Sequence, residues 1–105
     1  MPTQIRICVE NRTGMTVMHL HGHLGIDAHR ELKAACERCL ADPAVSELRL
    51  DLADIESSDM TAVGLLLVLR ERGHVLHKRV SLSRCEPLAE RGLGIDEVSR
   101  FFTVV

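Results

Sequence analysis

Three groups of residues in this chain carry side chains suited to chemistry. They are the alternating His19, His21 and His23, the pair Cys36 and Cys39, and the acids and hydroxyls from Asp54 to Thr61. On a continuous strand the histidines would share one face, with about 6–7 Å between neighbours. Neutral imidazoles bind zinc, nickel or copper. Spaced along one strand, however, they converge poorly on a single ion, and a structural zinc site usually needs four ligands in tetrahedral array. They read as polar residues on an open sheet face, and no metal site is expected. Cys36-Glu37-Arg38-Cys39 spells a CxxC. Redox pairs of that kind sit near a helix N-terminus, where the thiolate is stabilised. This pair falls near the end of a helical segment, on its apolar side with Leu32, Ala35 and Leu40, and reads as small core hydrophobes. Cys8 and Cys85 make the count even, but nothing indicates secretion, and cytosolic thiols stay reduced. A metal-binding or redox protein is kept only as a lesser alternative.

The third group lies where a polar stretch runs into an apolar one. Ser57, Ser58 and Asp59 precede Met60, Thr61 and a long uncharged segment. A helix starting there presents free backbone N–H groups and the positive end of its dipole. A hydroxyl at such a junction is accessible to a kinase. A phosphate added beside Asp59 would form a strongly negative patch that repels an acidic partner. Thr61, Ser58 and Ser57 are the nearby hydroxyls. Asp54, Glu56 and Asp59 cluster, but on a loop such acids are solvated. Gly92 and Gly94 lack the Walker spacing and its lysine, and the Gly-X-Ser-X-Gly elbow is absent. His74 and His77 have no evident partner. The expectation is a binding module without a cofactor, not an enzyme.

The elements that must position these residues follow from periodicity. Leu48, Leu50 and Leu52 alternate with Glu47, Arg49 and Asp51, which predicts a strand with one buried face. Ala53 to Ser58 has loop composition. Asp59 or Ser58 is the expected N-cap of a helix. That helix runs from Met60 through Leu69 to Arg70-Glu71-Arg72, and Gly73 is expected to close it in the left-handed conformation. Earlier in the chain, Gln4 to Glu10 and Met15 to His21 read as strands joined by a turn at Asn11 to Gly14, with Gly22 and Gly25 breaking the pattern. Asp27 is the expected cap of a helix from Ala28 to Leu40, ended by Ala41-Asp42-Pro43. Arg79 to Ser83 is a further strand. Pro87 opens a helix to Gly92 or Gly94, and Phe101 to Val105 is a short terminal strand. Each main strand has one apolar and one polar side. A sheet covered on both faces would show continuous apolar strands instead. The fold class expected is therefore α/β: one domain, residues 1–105, with a mixed sheet and helices mainly on one face.

Composition narrows the function. A net charge of −2 with acids and bases interspersed shows no footprint for nucleic acid. Phe101 and Phe102 are the only aromatics of the Phe, Trp and Tyr type, so no stacking platform exists for single strands. The first ten residues do not read as a signal peptide, and the longest apolar run, near Leu65 to Leu69, is too short to span a membrane. A soluble, cytoplasmic protein is expected.

Asp51-Leu52 at a strand end, a loop, and then Asp59-Met60-Thr61-Ala62-Val63-Gly64-Leu65-Leu66-Leu67 resemble the signature of the STAS domain, the fold of bacterial anti-sigma factor antagonists. His21-Gly22-His23-Leu24 is similar to the end of that family's second strand, Cys85-Glu86-Pro87 to Leu93 to its third helix, and Phe101-Phe102 to its last strand. The resemblance implies a one-sided mixed sheet. It also implies a partner, an anti-sigma factor of the serine kinase type, which the unmodified domain binds and phosphorylation releases. The family's phosphorylatable serine directly follows the Asp, and Met60 stands there in this chain. The candidate phosphosites are therefore Thr61 and Ser58, with Ser57 beside them. The same fold also serves as an accessory subunit of transporters and other signalling complexes. A glycine inside a helix costs about 1 kcal/mol against alanine. An outward stripe of Met60, Gly64 and Leu67 is thus expected to form the partner surface, or a weak homodimer surface when no partner is present.

Overall fold

Arg6–Arg12 (β1) and Met15–Leu24 (β2) form an antiparallel hairpin, closed at Thr13-Gly14 with Arg12 opposite Met15. Gly14 has φ +73°, a left-handed value that glycine adopts without a Cβ penalty. Its carbonyl accepts from the Ser46 and Glu47 N–H groups, which anchors the hairpin to the start of the central strand. This computed structural model describes residues 4–59, 61–84 and 102–104. A 3₁₀ turn at Ile26–Ala28 leads into the helix His29–Ala41 (α1). The central strand Glu47–Ser58 (β3), the helix Thr61–Val75 (α2), the strand Arg79–Ser83 (β4) and the short strand Thr103–Val104 (β5) follow. The five strands lie in chain order, antiparallel between β1 and β2 and parallel thereafter.

One apolar core joins both helices to one side of this sheet. Leu32, Cys36 and Leu40 from α1 and Leu65, Leu66 and Leu69 from α2 meet Met18, Leu20, Leu48, Leu50 and Leu82 from the strands. The expected one-sided α/β arrangement is what the chain adopts. The apolar stripe of α1 lies where its period placed it, with Leu32, Ala35, Cys36 and Leu40 buried.

Three local expectations are corrected. Ala53 to Ser58 is not a loop but the second half of β3, which pairs with β2 as far as Leu24 opposite Ser58. Two register shifts, at His19/His21 and Gly22/His23, give β3 extra residues there, and Gly22 takes φ +109° beside them. Bulges tolerate the polar composition because Asp54 and Glu56 face solvent while Ile55 remains in the core. Asp27 does not cap α1. It sits inside the 3₁₀ turn, held by the Ala28 N–H to Gly25 carbonyl bond, and Ala28 takes the cap position without a side-chain bond. Gly73 does not close α2 either. It is buried within the helix, where a Cβ would lie 2.6 Å from Val80 Cγ2 and 3.1 Å from the Lys78 carbonyl. Its role is the close approach of β4, and His77, at φ +58°, makes the left-handed turn. The helix expected from Pro87 lies outside the described residues, as do Met60, Cys85 and Phe101.

Candidate functional site

The polar face of the sheet is a charge ladder. His19 Nδ1 stands 2.6 Å from Asp51 Oδ2, and its Nε2 stands 3.1 Å from Glu10 Oε2. Arg84 completes Asp51 from the other side, and the Ala53 N–H donates to the same carboxylate. Both ring nitrogens of His19 thus face carboxylates, Glu10 first and Asp51 second, which raises its pKa against a small opposing effect of burial. For Asp51, burial raises the pKa, but donors from Arg84, His19 and Ala53 outweigh it and leave the group below its ordinary value. His21 lies near Arg6 and Glu56 instead, and His23 near Ser57 and Asp59. Each histidine therefore has its own partners. Among the described residues no three His, Cys, Asp or Glu side chains are grouped to hold a metal.

The sign of the pH dependence follows. A raised His19 pKa gives stability that is complete below the unfolded value, about pH 6.5, and lost as pH rises through the folded value. The lowered Asp51 pKa gives stability complete above about pH 4 and lost as pH falls. The difference in stability between the wild-type chain and His19→Gln is expected to be greatest between these limits and to shrink above about pH 6.5. Urea denaturation from pH 4 to 9 measures it. A difference constant to pH 9 would show that His19 is not held as an imidazolium.

Cys36 is buried with its Sγ 3.7 Å from Met18 Sδ, and burial pushes its thiol pKa up to about 12. Burial also raises that of Cys39, which is half-buried. Neither is a poised thiolate, so the CxxC lacks the reactive group redox chemistry needs.

The polar junction is held by Asp59. Its Oδ1 accepts from the Thr61 N–H at 2.8 Å, the contact of an N-cap, and the Thr61 hydroxyl donates to the same oxygen. Its Oδ2 lies 3.4 Å from the Ile26 N–H and 3.6 Å from His23 Nε2. These donors, the Thr61 hydroxyl foremost, hold the Asp59 pKa below its ordinary value. Of the two caps considered from sequence, Asp59 is the one that caps. The Ser58 hydroxyl is buried without a hydrogen-bond partner among the described residues. Ser57 Oγ is 2.7 Å from His23 Nδ1. The register of β2 on β3 creates this contact, since His23 lies opposite Ser57. No local signal in the sequence pairs His23 with the junction, because Ala53 to Ser58 has loop composition and a loop has no register.

Gly25 allows His23 and Asp59 to approach. A Cβ there would fall 2.3 Å from Asp59 Oδ2 and 2.5 Å from His23 Nε2. Its φ of −156° is open to any residue, and a Cβ there meets only the tips of the Asp59 and His23 side chains, which would have to move aside. Gly25→Ala is expected to cost about 1 kcal/mol of stability, because the Asp59 tip that moves carries the cap. Thermal or urea denaturation checks this, and a cost below about 0.5 kcal/mol, the range of surface changes, would contradict it.

The outward face of α2 is shifted from the one expected. Gly64 is exposed, and nothing within the described chain lies within 4 Å of a Cβ built on it. Val68, one turn on, is 42% exposed. Leu67 is not on that face. It is half-buried and packs against the core beside Val63. The apolar run hides this phase, because Leu65, Leu66, Leu67, Val68 and Leu69 offer no polar marker. Ile26, bonded through its N–H to Asp59, is 66% exposed beside the cap. Among the described residues, no helix is long and apolar enough to cross a membrane.

A one-sided five-stranded sheet with a carboxylate-capped helix after its central strand defines a class, and the sequence agrees with the architecture. The family model described as "Mlab, STAS domain" matches residues 8–104, and the chain belongs to the STAS domain family. A STAS-domain containing protein of Pseudomonas aeruginosa is 26% identical over 87 residues, which are 83% of this chain and 84% of the relative. Among solved structures, the fold is similar to the anti-sigma factor antagonist SpoIIAA in its unphosphorylated form, with TM-score 0.73, 19% identity, and 95% and 87% of the two chains covered. The phosphorylated form of the Bacillus SpoIIAA gives TM-score 0.70 at 17% identity, covering 95% and 91%. The murine anion transporter Slc26a9 contains a similar unit, with TM-score 0.67 and 13% identity over 90% of this chain and 16% of that one.

Proposed function

We propose that this chain is an anti-sigma factor antagonist-like regulator that binds a protein partner through the α2 start and the segment before it. The partner class is an anti-sigma factor of the serine kinase type. The observation that carries the reading is Gly64. An exposed helix-interior glycine is unfavourable by about 1 kcal/mol, and no contact within the described chain requires it. Close approach by another molecule gives it a reason. Gly64 and Val68 are exposed on the outer side of α2, and Ile26 is exposed beside the Asp59 cap, apolar surface of the kind a small docking face uses. The likeness to SpoIIAA supports the partner class, and its two phosphorylation states support a switch. Calorimetric titration of the chain against each serine-kinase anti-sigma factor of its source organism tests this. Binding of one of them at micromolar Kd or tighter is expected, and no binding by any would end this reading.

A second reading has its own observation. The Slc26a9 likeness shows this fold as part of a transporter chain, so an accessory role in a transport complex is the alternative. Co-purification with a membrane transporter, together with silence in the titrations above, would favour it.

A further inference from the structure

The three hydroxyls near the cap differ in what surrounds them. The Ser58 hydroxyl is buried and has no partner among the described residues, so a phosphoryl donor has no access to it. The Thr61 hydroxyl donates to the Asp59 carboxylate. That carboxylate is a weak base, because its donors hold its pKa below the ordinary range. Ser57 differs from both. Like the other two residues it is half-buried, but its Oγ meets an imidazole nitrogen, His23 Nδ1, at 2.7 Å.

The imidazole is oriented for one task. His23 Nε2 faces Asp59 Oδ2 at 3.6 Å, and Gly25 leaves the space that this approach needs. In the tautomer whose Nε2 proton faces that carboxylate, Nδ1 is free to accept from the Ser57 hydroxyl. The Ser57–His23–Asp59 order is that of a hydroxyl, its base and the acid that orients the base. The side chain of His23 is 18% exposed, so the ring is held in place yet open to solvent on one side.

We propose that Ser57, with His23 as its base, is the hydroxyl of this surface that accepts a phosphoryl group. The assignment rests on the switch reading above and names the residue that operates it. With a nucleoside triphosphate held by the partner kinase as donor, the Ser57 Oγ–P bond forms while the bond from the γ-phosphorus to the bridging oxygen breaks. The nucleoside diphosphate leaves, and the hydroxyl proton passes to His23 Nδ1. The product places an imidazolium between the phosphate and the Asp59 carboxylate, which offsets one unit of the added negative charge. Phosphate at Ser57 would stand next to the Asp59 cap, and it would add negative charge at the edge of the face that carries Gly64.

A fluorophosphonate probe tests the nucleophile without any partner. Its P–F bond breaks as the Oγ–P bond forms, fluoride leaves, and the proton again goes to His23. The intact chain, incubated with the probe and mapped by peptide mass spectrometry, is expected to carry one adduct, on Ser57. Ser57→Ala should carry none, and His23→Gln should react about a hundredfold or more slowly. His23→Asn should react as slowly as His23→Gln, which examines the base even where one of the two variants does not fold. Adduct on Thr61 or Ser58, no adduct beyond that of the urea-unfolded chain, or a rate indifferent to both His23 substitutions would overturn the proposal. Failure of the partner titrations leaves a Ser57 adduct standing, and failure of labelling leaves the Gly64 surface standing.

Discussion

Leu67→Asp is expected to lower the unfolding free energy by about 2–4 kcal/mol, whereas Val68→Asp, one residue on, should lower it by less than about 0.5 kcal/mol. The two residues are adjacent and both apolar, so composition gives no reason for the contrast. The phase of α2 gives it. Leu67 packs against the core cluster, and a carboxylate there loses water without gaining a partner. Val68 is 42% exposed, and an aspartate at that position keeps its solvent. A half-buried position loses less than a fully buried one, which is why the upper figure stays moderate. Urea denaturation of the two single variants measures the difference directly. Equal costs would mean that the outward face of α2 includes Leu67 after all.

This contrast also marks how far the sequence was legible. Strands with one wet side, such as Leu48–Leu50–Leu52 against Glu47–Arg49, declare their register by alternation, and the one-sided sheet followed from them. The α1 stripe was legible for the same reason, since Arg30, Lys33 and Arg38 mark its wet side. The helix α2 was not. Its interior is apolar all round, and only Arg70 onward carries charge, so its rotation had to come from the fold. The segment from Ala53 to Ser58 failed differently. Its polar residues signalled a loop, but bulges let a strand carry such residues while the ladder continues. That continuation is what sets His23 opposite Ser57, a pairing of residues 34 positions apart that no local signal announces. The Asp59 cap was legible because capping is a local event, read from one side chain and the next turn.

Gly64→Arg should weaken binding to the kinase-type partner by about a hundredfold or more, the scale of a substitution at the centre of an interface, while leaving the fold intact. Space alone cannot distinguish this position from any other exposed one, since a side chain at Gly64 meets nothing within the described chain. Arginine is also a far better helix former than glycine, so stability should hold or rise by up to about 1 kcal/mol. The two readouts therefore move in opposite directions, which no general destabilisation can imitate. Gly64→Ala separates the size of the side chain from the flexibility of the backbone. It should gain the same helix stability, and it should reduce binding by less than arginine does, because a methyl group intrudes less on a closely approaching partner. Val68→Asp extends the test one turn along the same face and should weaken binding with little change in stability. Calorimetry for affinity and urea denaturation for stability give both quantities on each variant. Full affinity in Gly64→Arg, with stability raised, would show that the glycine is merely an unoptimised helix position and that the partner docks elsewhere.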